Sequence, residues 1–245
     1  MQRAYRLRFD WGLSGAQAVG QDADVVVVVD VLSFTTTLSV AVEAGAEVLP
    51  YRWNDATAAR RAAERKAVLA VGRSEARPGD ISLSPATIRA NPVPRILLPS
   101  PNGSTISLLL GERGATVVGA ALRNFSAVAQ WILRAPGATV AVVAAGEQWG
   151  DGSLRAAVED LWGAGAVIHA LWTAGLRDVS PEAEAAAAAF TAVANELPPR
   201  LRACASGREL IEKGFPEDVE IAAEIDRCPS VPVLSGDVFL VRERS

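Results

Sequence analysis

The chain has 245 residues, half of them hydrophobic, and a formal net charge of −4. That content supplies a sizeable core and excludes a disordered chain. The acidic balance lacks the basic face that broad nucleic-acid binding needs, so no nucleic-acid partner is expected.

No apolar run approaches the roughly 18–20 residues that span a bilayer. The longest, Val25–Val29 and 185–190, are far too short, so no membrane partner is expected. The first ten residues carry three arginines and no apolar stretch of the signal-peptide kind. A cytoplasmic protein is the expectation, and a homo-oligomer is left open. The two cysteines, Cys204 and Cys228, cannot make a disulfide framework, and no zinc spacing exists. One histidine, His169, excludes metal sites that need two and argues against a histidine nucleophile.

In chain order, the first clear element is Val25–Val29, a continuous valine run that reads as a strand buried on both faces. Asp30 ends it, and Ser33, Thr35, Thr36 and Thr37 open a helix. Strands at 46–50 and 68–71 enclose a helix at 55–66, with Asn54 as its N-cap. A strand at 95–98 runs into a Pro-Asn-Gly turn and a helix at 104–110. Strands at 116–119 and 139–144 follow. Long helices are expected at 154–173 and 181–197, the second opened by Ser180-Pro181 and ended by Pro198-Pro199. Last come 231–234 and 238–241 around Ser235-Gly236-Asp237, a hairpin signature. Strands alternating with helices predict an α/β fold, with mixed or mostly parallel sheets flanked by helices. The expected organisation is one unit over 1–245; any subdomains would divide as 1–134 and 135–245.

Three motifs carry candidate chemistry. Asp30 stands at the carboxyl end of a buried strand, where open α/β sheets bind ligands. The following helix N-terminus favours an anion, and a carboxylate beside an anion calls for a cation between them. The bland alternative is a capped helix. Asn102-Gly103-Ser104 forms a second strand–turn–helix junction of the same kind. Gly146-Glu147 and, further on, Glu159-Asp160 add carboxylates; the adjacent pair suits Mg²⁺, which takes one or two carboxylates plus water and phosphate. The competing reading makes Glu159 part of a solvated face, paired with Arg155. A haloacid-dehalogenase motif fails because Leu32 stands where a second aspartate belongs. A phosphate loop at Cys204 fails because Arg208 comes too soon.

The ordered set resembles the 2-phosphosulfolactate phosphatase family. It comprises Asp30-Val31-Leu32 with Thr35-Thr36, Gly79-Asp80 with Ser84-Pro85, Asn102-Gly103-Ser104, and Gly119 with Arg123-Asn124. Ala145-Gly146, Glu159-Asp160 with Ala164-Gly165, and Ser206-Gly207 with Leu210, Gly214 and Asp218 complete it. The resemblance implies an α/β fold with an internal duplication, Mg²⁺ dependence, and hydrolysis of phosphosulfolactate to sulfolactate and phosphate in coenzyme M synthesis. Three positions depart from it. Ser33 replaces a usual arginine, Leu83 a frequent asparagine, and Ala144 the cysteine of Cys-Ala-Gly.

The expected site follows. Asp30, Glu159 and Asp160 hold Mg²⁺ and act catalytically. Thr35, Thr36, Asn102, Gly103 and Ser104 cradle the phosphate of a small anionic substrate. Arg123 and Arg73 hold its other acidic groups, with Asn124 and Gly146 beside them. The alternative is a non-catalytic α/β protein that binds an anionic metabolite at the same loops.

Overall fold

A computed structural model describes residues 2–52 and 56–242. Asn54, the expected cap of the helix at 55–66, lies outside the described residues. Eleven strands are described: β1 Leu7–Trp11, β2 Val25–Val29, β3 Glu47–Tyr51, β4 Val68–Leu69, β5 Arg95–Pro99, β6 Thr116–Ala120, β7 Val140–Ala144, β8 Glu147–Gln148, β9 Leu154–Arg155, β10 Pro232–Ser235 and β11 Val238–Val241. The α-helices are α1 Gly12–Gly20, α2 Phe34–Glu43, α3 Ala56–Glu64, α4 Pro85–Ala90, α5 Gly103–Gly111, α6 Phe125–Leu133, α7 Val158–Thr173, α8 Pro181–Thr191, α9 Leu197–Ala203, α10 Ala205–Glu212 and α11 Pro216–Ala222.

Nine strands form one sheet in the order β1-β7-β2-β6-β10-β11-β3-β5-β4. β1, β7, β2 and β6 are parallel to one another, as are β3, β5 and β4. The C-terminal hairpin β10–β11 joins the two sets through antiparallel pairings to β6 and β3, so the sets run in opposite senses. β7, from the second half of the chain, lies between β1 and β2, and a cut between residues 134 and 135 would part it from both.

The valine run explains the centre. Val25, Val27 and Val29 point into one core with Val128, Ile132, Val167 and Ile168 from α6 and α7. Val26 and Val28 point into the other with Ala16, Phe34, Leu38 and Ile106 from α1, α2 and α5. Alternation along a strand divides one apolar run between two layers of helices, and each buried side chain contributes roughly 1.5–3 kcal/mol. On the α7–α8 contact, a Cβ at Gly165 would lie 2.1 Å from the Ala186 carbonyl oxygen, so only glycine permits this approach. Among the described residues, no helix is long and apolar enough to cross a membrane.

α4, α6, α10 and α11 have no counterpart among the expected elements, and three other differences have a clear cause. The helix expected at 154–173 starts at Val158, because Leu154 and Arg155 pair with Gln148 and Glu147 as a small antiparallel ladder. The helix opened by Ser180-Pro181 is present, its cap hydroxyl accepting from the Ala183 amide, but it ends at Thr191. Pro198-Pro199 instead occupy the first turn of α9, where a missing N–H costs nothing. The β1–α1 unit gave no signal, because its strand carries Arg8 and Asp10. Arg8 is nevertheless buried, neutralised by Asp22 at 2.7 Å.

Candidate active site

The loops that follow β2, β5 and β7 meet around Asp30 and Asp160. Asp30 follows β2 and is 7% exposed. Its Oδ1 accepts from the Phe34 amide at the start of α2 (3.0 Å), and its Oδ2 from the Gly103 amide at the start of α5 (3.2 Å). The anion facing both helix N-termini is thus an internal carboxylate. A Cβ on Gly103 would press to 2.3 Å from the Phe34 ring, so glycine is required for this junction to close.

The hydroxyls expected to cradle phosphate serve the loops instead. Thr35 donates to the Asp30 carbonyl and accepts from its amide, Thr36 donates to the Val31 carbonyl, and Ser104 to that of Leu98. All three threonine and serine side chains are buried.

Asp160 and Glu159 lie in the first turn of α7, buried at 3% and 2% exposure, which corrects the solvated-face alternative. Arg155 pairs with Glu209 at 2.9 Å and lies over the Trp149 ring rather than meeting Glu159. Asp160 accepts from the Val31 amide at 2.7 Å and the Gly146 amide at 2.8 Å. Both its oxygens therefore brace the β2–α2 and β7–β8 loops. Gly146 acts through this backbone bond.

Glu147, present in the sequence motif but not assigned a role, is the fourth carboxylate. It accepts from the Asn102 side-chain amide at 3.3 Å, and Asn102 in turn accepts from Gln148 at 3.1 Å.

The four acids press on one another. Burial, with Glu159's charge added, pushes the Asp30 carboxyl up to about 6 against the pull of the two amides and Arg73. Burial and then the charges of Asp30 and Glu159 push Glu147 up to about 7, against Arg155. Asp160 is raised well above its ordinary range by burial, then by Asp30 and Glu159. Burial and the neighbouring Glu159 also push the Cys204 thiol up to about 12, consistent with an inert cysteine.

The cation beside Asp30 is Arg73. Its guanidinium donates to the Ser33 hydroxyl and, through Nε, to Asp218 at 2.7 Å, and lies 6.0 Å from the Phe215 ring centre. Asp218 is buried and also accepts from the Ser84 hydroxyl. Arg73 lines a cavity of about 570 Å³ with Arg52, Ser100 and Lys213. Arg123 does not reach it. Arg123 is 2% exposed and spent on Ser39, Glu43 (2.8 Å) and Glu224. Asn124 is equally buried, its side chain bonded to the Ala121 amide and to the Gly119 and Ser230 carbonyls. Both expected substrate contacts are therefore structural.

These raised carboxyls predict a pH dependence of stability. A carboxyl whose native pKa lies above its unfolded one stabilises the fold at low pH, and that stabilisation is lost as pH rises through the native value. For Asp30 and Glu147 the loss runs from about 4 up to about 6 and about 7. Asp22, Glu220, Glu224 and Asp237, held low by arginines, act in the opposite sense at more acid pH. The metal-free protein should melt about 5 °C lower at pH 8 than at pH 5. A melting point that is flat or rises across this window in thermal scans would reject the cluster's electrostatics.

The fold and this site define an α/β enzyme that gathers carboxylates and a buried-anchored arginine where its parallel strands end. The profile of the family described as 2-phosphosulpholactate phosphatase matches residues 15–237. A relative in Cyanothece sp., named "Probable 2-phosphosulfolactate phosphatase", is 32% identical over 240 residues, covering 91% of this chain and 93% of its own. Relatives of the same name in Thermosynechococcus vestitus and Deinococcus radiodurans are each 31% identical, covering 85% and 86% of this chain and 88% of their own. The chain belongs to the 2-phosphosulfolactate phosphatase family.

Proposed function

We propose that the chain is a Mg²⁺-dependent phosphatase that hydrolyses the phosphomonoester of a small 2-hydroxy acid, 2-phosphosulfolactate or a close relative. The names of its relatives support this substrate class. The observation that carries the reading is a set of buried, mutually repelling carboxylates beside an arginine-lined cavity. Without a cation, such a set would repel a phosphate.

The donors fit Mg²⁺, a hard ion satisfied by one or two carboxylates with water and phosphate. Among the described residues, no three His, Cys, Asp or Glu side chains form a ready cage; a two-carboxylate site needs none. Asp30 and Glu159 would hold the ion, and Asp160 fixes the loops around them. When bound, the ion would offset the carboxylates and polarise phosphoryl oxygens. Arg73 binds an acidic group of the substrate. Glu147, on the neighbouring cavity wall, gives its proton to the leaving oxygen as water attacks phosphorus and the ester P–O bond breaks. The proton shed by water restores the carboxyl.

The test is phosphate release from 2-phospho acids with Mg²⁺ or with chelator, alongside melting at pH 8. Mg²⁺ should support turnover and raise the melting point more at pH 8 than at pH 5. Glu147→Gln should slow turnover by ~10²-fold and remove the alkaline decline in rate that loss of the Glu147 proton causes. Absence of phosphate release from every 2-phospho acid tried with Mg²⁺ would reject the proposal.

A further inference from the structure

The cavity that holds Arg73 is lined by the cations Arg52, Arg73 and Lys213 and by no carboxylate. Two of these cations are already matched. Arg73 meets Asp218 at 2.7 Å, and Arg52 meets Glu112 at 3.0 Å. Lys213 is exposed and pairs with no acid among the described residues. The excess charge of this wall is therefore that of Lys213.

A second observation does not depend on charge. Ser100, directly after β5, is 3% exposed and lines the same cavity. Its amide donates to the Tyr51 carbonyl at 2.9 Å, but its hydroxyl has no hydrogen-bond partner among the described residues. The other buried hydroxyls nearby are spent. Thr35, Thr36 and Ser104 donate to backbone carbonyls, Ser84 donates to Asp218, and Ser33 accepts from Arg73. A buried hydroxyl without a partner carries a desolvation cost that a ligand oxygen would remove.

The wall has a direct relation to the carboxylates, although Asp30 does not line it. Arg73 donates to the Ser33 hydroxyl, and the next residue, Phe34, gives its amide to Asp30. Ser100 shortly precedes Gly103, whose amide also binds Asp30. Lys213 comes from the turn between α10 and α11, and Asp218 of α11 holds Arg73. One segment thus anchors the guanidinium and supplies the unmatched charge.

We propose that Lys213 and Ser100 complete, with Arg73, the subsite for the substrate's acidic group, an oxyanion of one negative charge such as a carboxylate or sulfonate, and that Lys213 sets the preference for a charged over a neutral group. Arg73 and Ser100 aim hydrogen bonds at the anion. Asp218 already offsets the charge of Arg73, so the net attraction comes from Lys213. The inference rests on the phosphatase reading for its reaction and adds to it the residues that choose the substrate.

The experiment has two arms. The first measures phosphate release, with Mg²⁺, from phospholactate and from its carboxyl methyl ester, which lacks the acid. Lys213→Ala should raise KM for phospholactate about fivefold to tenfold, with a smaller effect on kcat, and leave KM for the ester in place. Lys213→Glu should raise it further, and Lys213→Arg should restore it. Ser100→Ala should also raise KM for phospholactate, yet melt no lower than wild type, because no internal acceptor loses its donor. The second arm follows binding of lactate and of methanesulfonate to the metal-free protein by NMR titration. At least one should bind, and Lys213→Ala should weaken it at least fivefold. A KM unmoved by Lys213→Ala, or moved equally for acid and ester, overturns the proposal. So does a Ser100→Ala protein that melts lower, or a wild-type protein that binds neither anion. If phospholactate is not hydrolysed while an anion binds through Lys213, the phosphatase reading fails and the subsite stands.

Discussion

Asp30→Asn should lower kcat/KM for phosphate release by ~10²–10³-fold, the scale of losing one preorganised electrostatic group, while the protein stays folded. The substitution keeps the side chain's shape and removes its charge. An asparagine can present its oxygen to the Phe34 amide or the Gly103 amide, but not to both, and the mismatched pair costs about 1–3 kcal/mol. Relief of repulsion with Glu159 acts against that cost, and most strongly at a pH above the raised Asp30 value, where the wild-type Asp30 carboxylate is charged. Melting at pH 8 should therefore change little, and the extra stabilisation by Mg²⁺ should disappear. Asp160→Asn should behave differently. Its oxygens hold two loops through bonds of 2.7 and 2.8 Å, so it should lose stability first. An Asp30→Asn enzyme with a normal rate and a normal response to Mg²⁺ would remove Asp30 from the site.

The main frame of the site was legible because its signals are local. Five consecutive valines ending in an aspartate specify a central strand and the sheet edge, and the hydroxyls after it specify a helix start. Which groups use those features was not legible. A helix N-terminus calls for an anion, yet nothing in residues 30–37 says that Asp30 itself occupies it. Long-range pairing hid the rest. Arg73 meets Ser33 across 40 residues and Asp218 across 145. Arg123 looked available only because Glu43 and Glu224, its partners, lie 80 and 101 residues away. Ser84 and Asp218 both belonged to the family pattern without an evident role; their contact shows them anchoring Arg73. The β8–β9 ladder escaped notice because Leu154 and Arg155 precede an apolar helix without any break residue.

Loss of the Arg73 guanidinium should raise KM for a 2-phospho acid by ~10–100-fold, with a smaller effect on kcat. A charge-assisted hydrogen bond is worth roughly 1.5–3 kcal/mol, and each 1.4 kcal/mol is about tenfold in affinity. Arg73 is the cation that the loop at Ser33 lacks, delivered from another part of the chain. Arg73→Ala alone would strand Asp218, buried at 1% exposure, with only the Ser84 hydroxyl for company. The informative protein is therefore the double variant Arg73→Ala with Asp218→Asn, which removes both charges and spares the fold. Arg73→Lys should recover part of the affinity, since a lysine carries the charge but cannot hold Asp218 and Ser33 with one planar fork. Arg123→Ala supplies the contrast. It deletes a buried guanidinium that joins α2 to the residues after α11, so it should cost stability, about 1–3 kcal/mol, because its partners Glu43 and Glu224 are a third exposed and Glu224 keeps Arg89. KM of the protein that remains folded should stay near the wild-type value. An unaltered KM in the Arg73 double variant, or a raised KM in Arg123→Ala at an unchanged melting point, would return the substrate's cation to Arg123.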